Sequence, residues 1–138
     1  MRKVILDTSI LFRVAETGLP LFNELDRLLV AYEPVVLRKT VKEIEILSGA
    51  KKKRLKAKLA RELIKKCKII EEDFPGYGDD LIIEAAKRLN AIVATADSKL
   101  MKRLLKEGIP VVYPRDYKTL QIAGEDVWRY GSKIVEEL

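Results

Sequence analysis

The stretch Lys3-Val4-Ile5-Leu6-Asp7-Thr8-Ser9-Ile10-Leu11 decides the fold. Its first half is short and apolar and ends on an acid, with no polar alternation. That is the pattern of a strand buried on both faces of a parallel sheet. Thr8 and Ser9 can cap a following helix with Ile10, Leu11 and Val14 on its apolar face, and Gly18 can close it. Pro20 suits the first turn of a second helix carrying Leu21, Phe22, Leu25, Leu28 and Leu29. The same alternation then continues along the chain. Pro34–Leu37 reads as a second strand and Thr40 as the cap of a helix over Val41–Leu47. Lys68–Glu71 reads as a third strand, and Asp79-Asp80 open a helix that runs through Leu89. Ala91–Thr95 is a fourth strand, Ser98–Lys106 a further helix and Pro110–Tyr113 a fifth strand. Strands alternating with helices predict an α/β fold: a three-layer α/β/α sandwich around a central parallel sheet. One domain over 1–138 is expected, with its core at about 3–114 and a C-terminal extension over 115–138. Within the extension Gln121–Gly124 suits a short strand and Asp126–Leu138 a helix.

Composition narrows the chemistry. The 138 residues carry a net charge of +6, no histidine and one cysteine, Cys67. A Ser-His-Asp triad, an HExxH zinc site and an internal disulfide are therefore excluded. Any hydrolysis must come from carboxylates, hydroxyls, Lys, Arg or Tyr, for which hard metal ions on oxygen ligands are the natural route. No run approaches the roughly 18 apolar residues of a membrane span, and the N-terminus leads straight into a strand. A cytoplasmic protein without membrane contact is expected. Asn23, Asn90 and Gln121 are the only side-chain amides, and Lys and Glu abound, as reported for thermophiles.

In open parallel sheets, ligands bind beyond the carboxyl ends of the strands, where strand order reverses. Four acids fall on that edge. Asp7 ends strand one, and Glu43 lies in the first turn of the helix after strand two. Asp80 opens the helix after strand three, and Asp97 lies two residues beyond strand four. Singly, each has a local reading as a helix cap or a solvated first-turn acid. Together in one crevice they would repel one another by several kcal/mol unless a cation neutralised them. In a chain of net positive charge that concentration points to a metal site for Mg²⁺ or Mn²⁺, able to activate water toward a phosphodiester.

The same residues resemble the PIN-domain ribonucleases. Val4-Ile-Leu-Asp7-Thr8-Ser9 matches that family's apolar strand followed by Asp-Thr/Ser-Ser/Asn. Val41-Lys-Glu43-Ile-Glu45-Ile-Leu47 is similar to its second acidic helix. Asp80-Leu-Ile-Ile-Glu-Ala85 is similar to its third motif, and Val93-Ala-Thr95-Ala-Asp97-Ser-Lys-Leu100 to its fourth. The resemblance covers about 3–114. It implies catalytic and metal-binding roles for Asp7, Glu43, Asp80 and Asp97, and supporting roles for Thr8, Ser9 and Thr95. Asp79 or Glu45 could be the real ligand in place of a neighbour; Ile83 and Lys87 repeating at four-residue spacing favour Asp80. It further implies a metal-dependent endoribonuclease leaving 5′-phosphate and 3′-hydroxyl ends. The Thr40–Leu47 segment, the basic helix after it and Gly78-Asp79-Asp80 resemble the ribosome-maturation branch, whose small-subunit processome nuclease cuts precursor ribosomal RNA. The alternatives are a VapBC-type toxin with its antitoxin, and a non-catalytic RNA-binding assembly factor. RNA is the expected partner, with a second copy of the chain as a further candidate.

Charge is concentrated in a helix expected over about Lys51–Cys67. Lys51, Lys52, Lys53, Arg54, Lys56, Lys58, Arg61, Lys65, Lys66 and Lys68 face a single acid, Glu62, a local +9 that leaves −3 for the rest. Leu55, Leu59, Leu63 and Cys67 recur every four residues and, broadened by Ala60 and Ile64, predict its apolar stripe. Such a face can grip a phosphate backbone, with Arg38 and Lys42 beside Glu43 placed to meet a scissile phosphate. Tyr77 suits base stacking or packing. Trp128 and Tyr130 suit either a stacking platform or an anchor for the tail.

Overall fold

A computed structural model of the chain describes residues 1–124. Six strands form one sheet in the order β3-β2-β1-β4-β5-β6. They are β1 (Arg2–Leu6), β2 (Tyr32–Leu37), β3 (Lys68–Ile70), β4 (Ile92–Ala94), β5 (Val111–Pro114) and β6 (Leu120–Ala123). The first five are parallel, and β6 pairs antiparallel with β5, Tyr113 opposite Gln121. The expected strand at 121–124 is thus an antiparallel edge on the parallel sheet. It is pinned to the neighbouring helix α2 (Leu21–Leu28) by Arg27, which donates to the Leu120 carbonyl at 2.8 Å, and by the Leu120 amide on Glu24 at 2.9 Å. Trp128, Tyr130 and the helix expected over Asp126–Leu138 lie outside the described residues.

Side-chain alternation along the strands builds the three layers. Val4 and Leu6 face one side with Val36, Ile92, Ala94 and Val112. The helices α1 (Thr8–Thr17), α2, α3 (Arg38–Ser48) and α4 (Arg54–Ile64) cover that side. Ile5, Val35, Leu37, Val93 and Val111 face the other, under α5 (Asp79–Leu89) and α6 (Ser98–Lys106). A run such as Val4-Ile5-Leu6 is apolar throughout because both of its faces are covered. Among the described residues no helix is long and apolar enough to cross a membrane.

Three local expectations are corrected. Strand β2 passes directly into α3, with Leu37 at its N-cap in extended conformation (φ −81°, ψ 153°). Thr40 is therefore a buried residue inside the helix rather than its cap, and Glu43 falls in the second turn. Helix α1 likewise starts at Thr8 with Asp7 at the N-cap, so the Thr8 and Ser9 hydroxyls are free for other bonds. The expected helix over Lys51–Cys67 divides into a short 3₁₀ turn, Lys51–Lys53, and α4.

The buried face of α4 is also different. Ala57, Ala60 and Ile64 are buried, whereas Leu55 and Leu59 are 69% and 42% exposed. The helix packs on α1 and α3 together, and small side chains let a helix axis approach two neighbours closely. Of the expected stripe, Ala60 and Ile64 are buried and Leu63 and Cys67 pack against the core, while Leu55 and Leu59 turn outward. Leu55→Ala should therefore shift stability by under about 0.5 kcal/mol. Leu11→Ala, at a fully buried position, should cost about 2–5 kcal/mol. Urea unfolding of the two variants checks both; equal losses would sink this assignment of the α4 face.

Candidate metal centre

Strand order reverses between β1 and β4, and the residues leaving these two strands meet at their carboxyl ends. The Asp7 amide donates to the Ala94 carbonyl at 3.0 Å, carrying the β1–β4 ladder one residue past β1. The Asp7 carboxylate makes no cap bond to α1. Instead its Oδ2 accepts from Ser9 Oγ at 2.7 Å and from Thr95 Oγ1 at 2.9 Å, and these two hydroxyls are 3.0 Å apart. Ser9 Oγ also accepts from the Ala96 amide at 2.9 Å, and Thr95 Oγ1 from the Asp97 amide at 3.0 Å. The buried Asp7 and Thr95 thereby fix the turn after β4 against the start of α1. All the hydroxyl bonds fall on Oδ2, which leaves Oδ1 clear of them.

Asp97 follows as the N-cap of α6, where Oδ1 accepts from the amides of Lys99 at 2.9 Å and Leu100 at 3.2 Å. The local cap reading is realised, and it occupies only one carboxylate oxygen. Glu43 reaches the same edge from α3. Its Oε2 accepts from Thr8 Oγ1 at 3.0 Å, and its Oε1 pairs with Lys39 Nζ at 2.5 Å. Thr8, Ser9 and Thr95 thus each hold an acid. Lys39 is a site residue that sequence reasoning passed over in favour of its neighbours. Its signal was available: Lys39 precedes Glu43 by four residues, one turn of the same helix.

The adjacent acids of α5 part company. Asp80 is exposed and pairs with Arg103 of α6. Asp79 is half-buried, and burial, with the charges of Asp97 and Asp7, pushes its carboxyl above the usual range, while Arg103 and Lys39 pull it down. Helical period explains the division. Positions 79, 82, 83 and 86 form one stripe, and Ile82, Ile83 and Ala86 are buried. Asp80 shares the outer stripe with Glu84 and Lys87, both of which make surface ion pairs. The turn before α5 allows this entry through glycine: Gly76 has φ +99°, and a Cβ there would stand 3.0 Å from Asp80 Cβ. Glu45, the other alternative ligand, is exposed on α3.

Arg38 pairs with Glu71, and with Lys39 and Lys42 it lines a cavity of about 200 Å³ bounded by Phe74 and Leu81. Tyr77 is 93% exposed, which rules out a packing role. In and before α4, Lys56 pairs with Glu16 at 3.4 Å and Lys53 stands over the Phe12 ring. Among the described residues Lys51, Lys52, Arg54, Lys58 and Arg61 form no ion pair.

The donor set is all oxygen and suits a hard divalent ion. Among the described residues, however, no three acids stand together as a ready ligand cluster. Each of three acids already has a partner of its own: Lys39 on Glu43, Arg103 on Asp80 and the Ser9 and Thr95 hydroxyls on Asp7.

The family of PIN-like domains matches residues 4–117. The chain belongs to this family. It is 32% identical over 130 residues to ribonuclease VapC4 of Methanocaldococcus jannaschii, an alignment spanning 90% of this chain and 98% of that protein. Among solved structures it is similar to the PIN-domain endonuclease Utp24, with a TM-score of 0.70 and 23% identity, covering 89% of this chain and 92% of that one. A second similar structure is VapBC-1 from nontypeable Haemophilus influenzae, with a TM-score of 0.57 and 18% identity over 83% and 98% of the two chains. At these identities the two structures speak for the fold, the α/β sandwich of PIN-like domains.

Proposed function

We propose that this PIN-like domain is an endoribonuclease that requires Mg²⁺ or Mn²⁺, and that Asp7, Glu43, Asp79 and Asp97 form its acid set. The reading is carried by the geometry of the β1–β4 switch point: Ser9 and Thr95 fix Asp7 just past β1, Asp97 caps α6 beyond β4, and the half-buried Asp79, whose carboxyl their charges help to raise, lies on the inward stripe of α5. A divalent ion bound between them would offset that repulsion. The 32% identity to a ribonuclease over nearly the whole chain supports the substrate class. Asp79 replaces Asp80 in this set because its stripe faces inward. Asp80 becomes the partner that holds Arg103.

A divalent ion, when bound, would neutralise the acids and make a water more acidic. The chain's own residues divide the remaining work. Ser9 and Thr95 orient the Asp7 carboxylate, and Thr8 orients Glu43. Lys39 supplies a positive charge beside Glu43 that can turn toward a phosphate oxygen. The unpaired cations in and before α4 offer the phosphate backbone a track beside α1 and α3.

The test of activity is cleavage of a structured RNA with and without Mn²⁺, followed by analysis of the ends. Products with 5′-phosphate and 3′-hydroxyl that appear only with metal are expected; metal-independent cutting would overturn the proposal. Neutralising Lys51, Lys52, Lys53, Arg54 and Lys56 together should weaken RNA binding. Its log–log salt slope should fall by up to about four, near one for each phosphate that is no longer neutralised. An unchanged slope would remove the basic segment from the RNA-binding surface.

Two biological settings remain, and each has an observation behind it. The Thr40–Leu47 segment, the basic helix and Gly78-Asp79-Asp80 favour precursor ribosomal RNA as the substrate. The identity to VapC4 favours a toxin paired with an antitoxin. Expression in a host separates them: growth arrest relieved by a small neighbouring gene supports the toxin, and accumulation of unprocessed ribosomal RNA on depletion supports maturation.

A further inference from the structure

Beside Asp97 the crevice deepens where β4 and β5 end. A partly enclosed cavity of about 210 Å³ is lined there by Arg13 of α1, Ala96 and Asp97 after β4, Met101 of α6, and Tyr113 and Pro114 of β5. It is smaller than the roughly 300–1,000 Å³ pockets that take drug-sized ligands, so it suits one planar ring system. Its walls are mainly apolar, an alanine, a proline ring, a thioether and a phenol ring, with Ser98 at the start of α6 a polar lining residue beside Asp97. The Tyr113 hydroxyl donates to Gln121 Oε1 at 2.9 Å across the β5–β6 pair, which holds that ring in place. Arg13 supplies the cation of the cavity, and among the described residues no carboxylate pairs with it. Its planar fork of N–H donors matches the acceptor atoms on the edge of a base, and its face can also stack on one.

We infer that this cavity is a nucleobase subsite, which takes one unpaired base of the RNA next to the phosphate held at the acids. The inference rests on the endoribonuclease reading for its ligand and adds the position that base identity can influence. A phosphate is a poorer occupant, because Asp97 borders the cavity and the remaining walls offer no second cation. A base flipped from its stack places its π-face against Tyr113 and Met101, while its ribose-phosphate continues past Asp97. The subsite thus gives the acid centre a fixed register on a single-stranded segment.

The test is a scan of RNA substrates in which one nucleotide at a time around the cut is made abasic. Binding is read by fluorescence anisotropy with Ca²⁺ in place of Mg²⁺, and separately with the Asp7→Asn protein. Loss of a stacked base should weaken binding by wild type about tenfold at one position within two nucleotides of the cut. Met101→Trp, which fills the cavity, and Arg13→Ala, which removes its cation, should bind intact RNA as weakly as wild type binds that abasic RNA. In both variants the abasic penalty should fall below about twofold; a merely structural defect would weaken both RNAs and keep the penalty. Uniform binding across the abasic scan, or a penalty that survives in both variants, overturns the subsite. Cleavage without base dependence removes the subsite and leaves the nuclease reading. Base-dependent binding without any cleavage supports the subsite and removes the nuclease reading.

Discussion

Asp7→Asn should abolish metal-dependent RNA cleavage, by roughly 10³-fold, while leaving the fold intact. Asp7 Oδ2 accepts two hydroxyls, from Ser9 and Thr95. An asparagine carbonyl oxygen can accept the same two bonds, so the turn after β4 keeps its anchor. What disappears is the negative charge at the point where the sheet's strand order reverses. Single-turnover cleavage with saturating Mn²⁺, beside circular dichroism and thermal unfolding of both proteins, separates the two effects. A loss of less than about tenfold with a native spectrum would take Asp7 out of the proposed centre.

The second large effect separates two adjacent acids. Asp79→Asn should lower cleavage by about 10²-fold or more, because it removes the half-buried acid that Asp7 and Asp97 face. Asp80→Asn breaks an exposed pair with Arg103, and such pairs contribute up to about 1 kcal/mol, so the rate should change by no more than about fivefold. Asp79→Asn should also raise the unfolding temperature of the metal-free protein, since it relieves repulsion among like charges. The pH dependence has the same sign. Burial and the neighbouring acids raise the Asp79 carboxyl in the folded state, so protonation there favours folding. That contribution is present at low pH and lost as pH rises through the raised value. Activity profiles and chelator-treated melting curves of the two variants check both statements. A large loss for Asp80→Asn with little for Asp79→Asn would restore Asp80 to the acid set.

Much of the architecture was legible because burial on both faces leaves a plain mark. Val4-Ile5-Leu6 and Ile92-Val93-Ala94 carry no polar alternation, and both lie between helical layers. The span of α6 was legible for a different reason: Asp97 caps it through two amide bonds that a short acidic side chain makes locally. The start of α3 was not. A strand that enters a helix without a loop leaves no turn residue to read, and Thr40 looked like a cap because capping was its local preference. On α4 only Leu55 and Leu59 misled, since a leucine outranks Ala57 on hydrophobicity alone. Contact with α1 and α3 turned Ala57, Ala60 and Ile64 inward, and the two alanines let the helix axes approach closely.

For the candidate centre, residue type and order along the chain were enough to bring acids from β1, α3, α5 and the β4–α6 turn to one edge of a parallel sheet. The sequence by itself determined that topology, since right-handed crossovers and buried strands allow few alternatives. It also determined that the acids would have oxygen chemistry only, with no histidine to share the work. Tertiary structure alone decided that Asp79 is half-buried and Asp80 exposed on Arg103, that Lys39 and not Arg38 meets Glu43, and that an apolar cavity opens beside Asp97. Each of these depends on the direction of a side chain relative to another element. Adjacent positions on a helix point about 100° apart, so neighbours in sequence can face opposite surroundings, and only the packed neighbours choose between them.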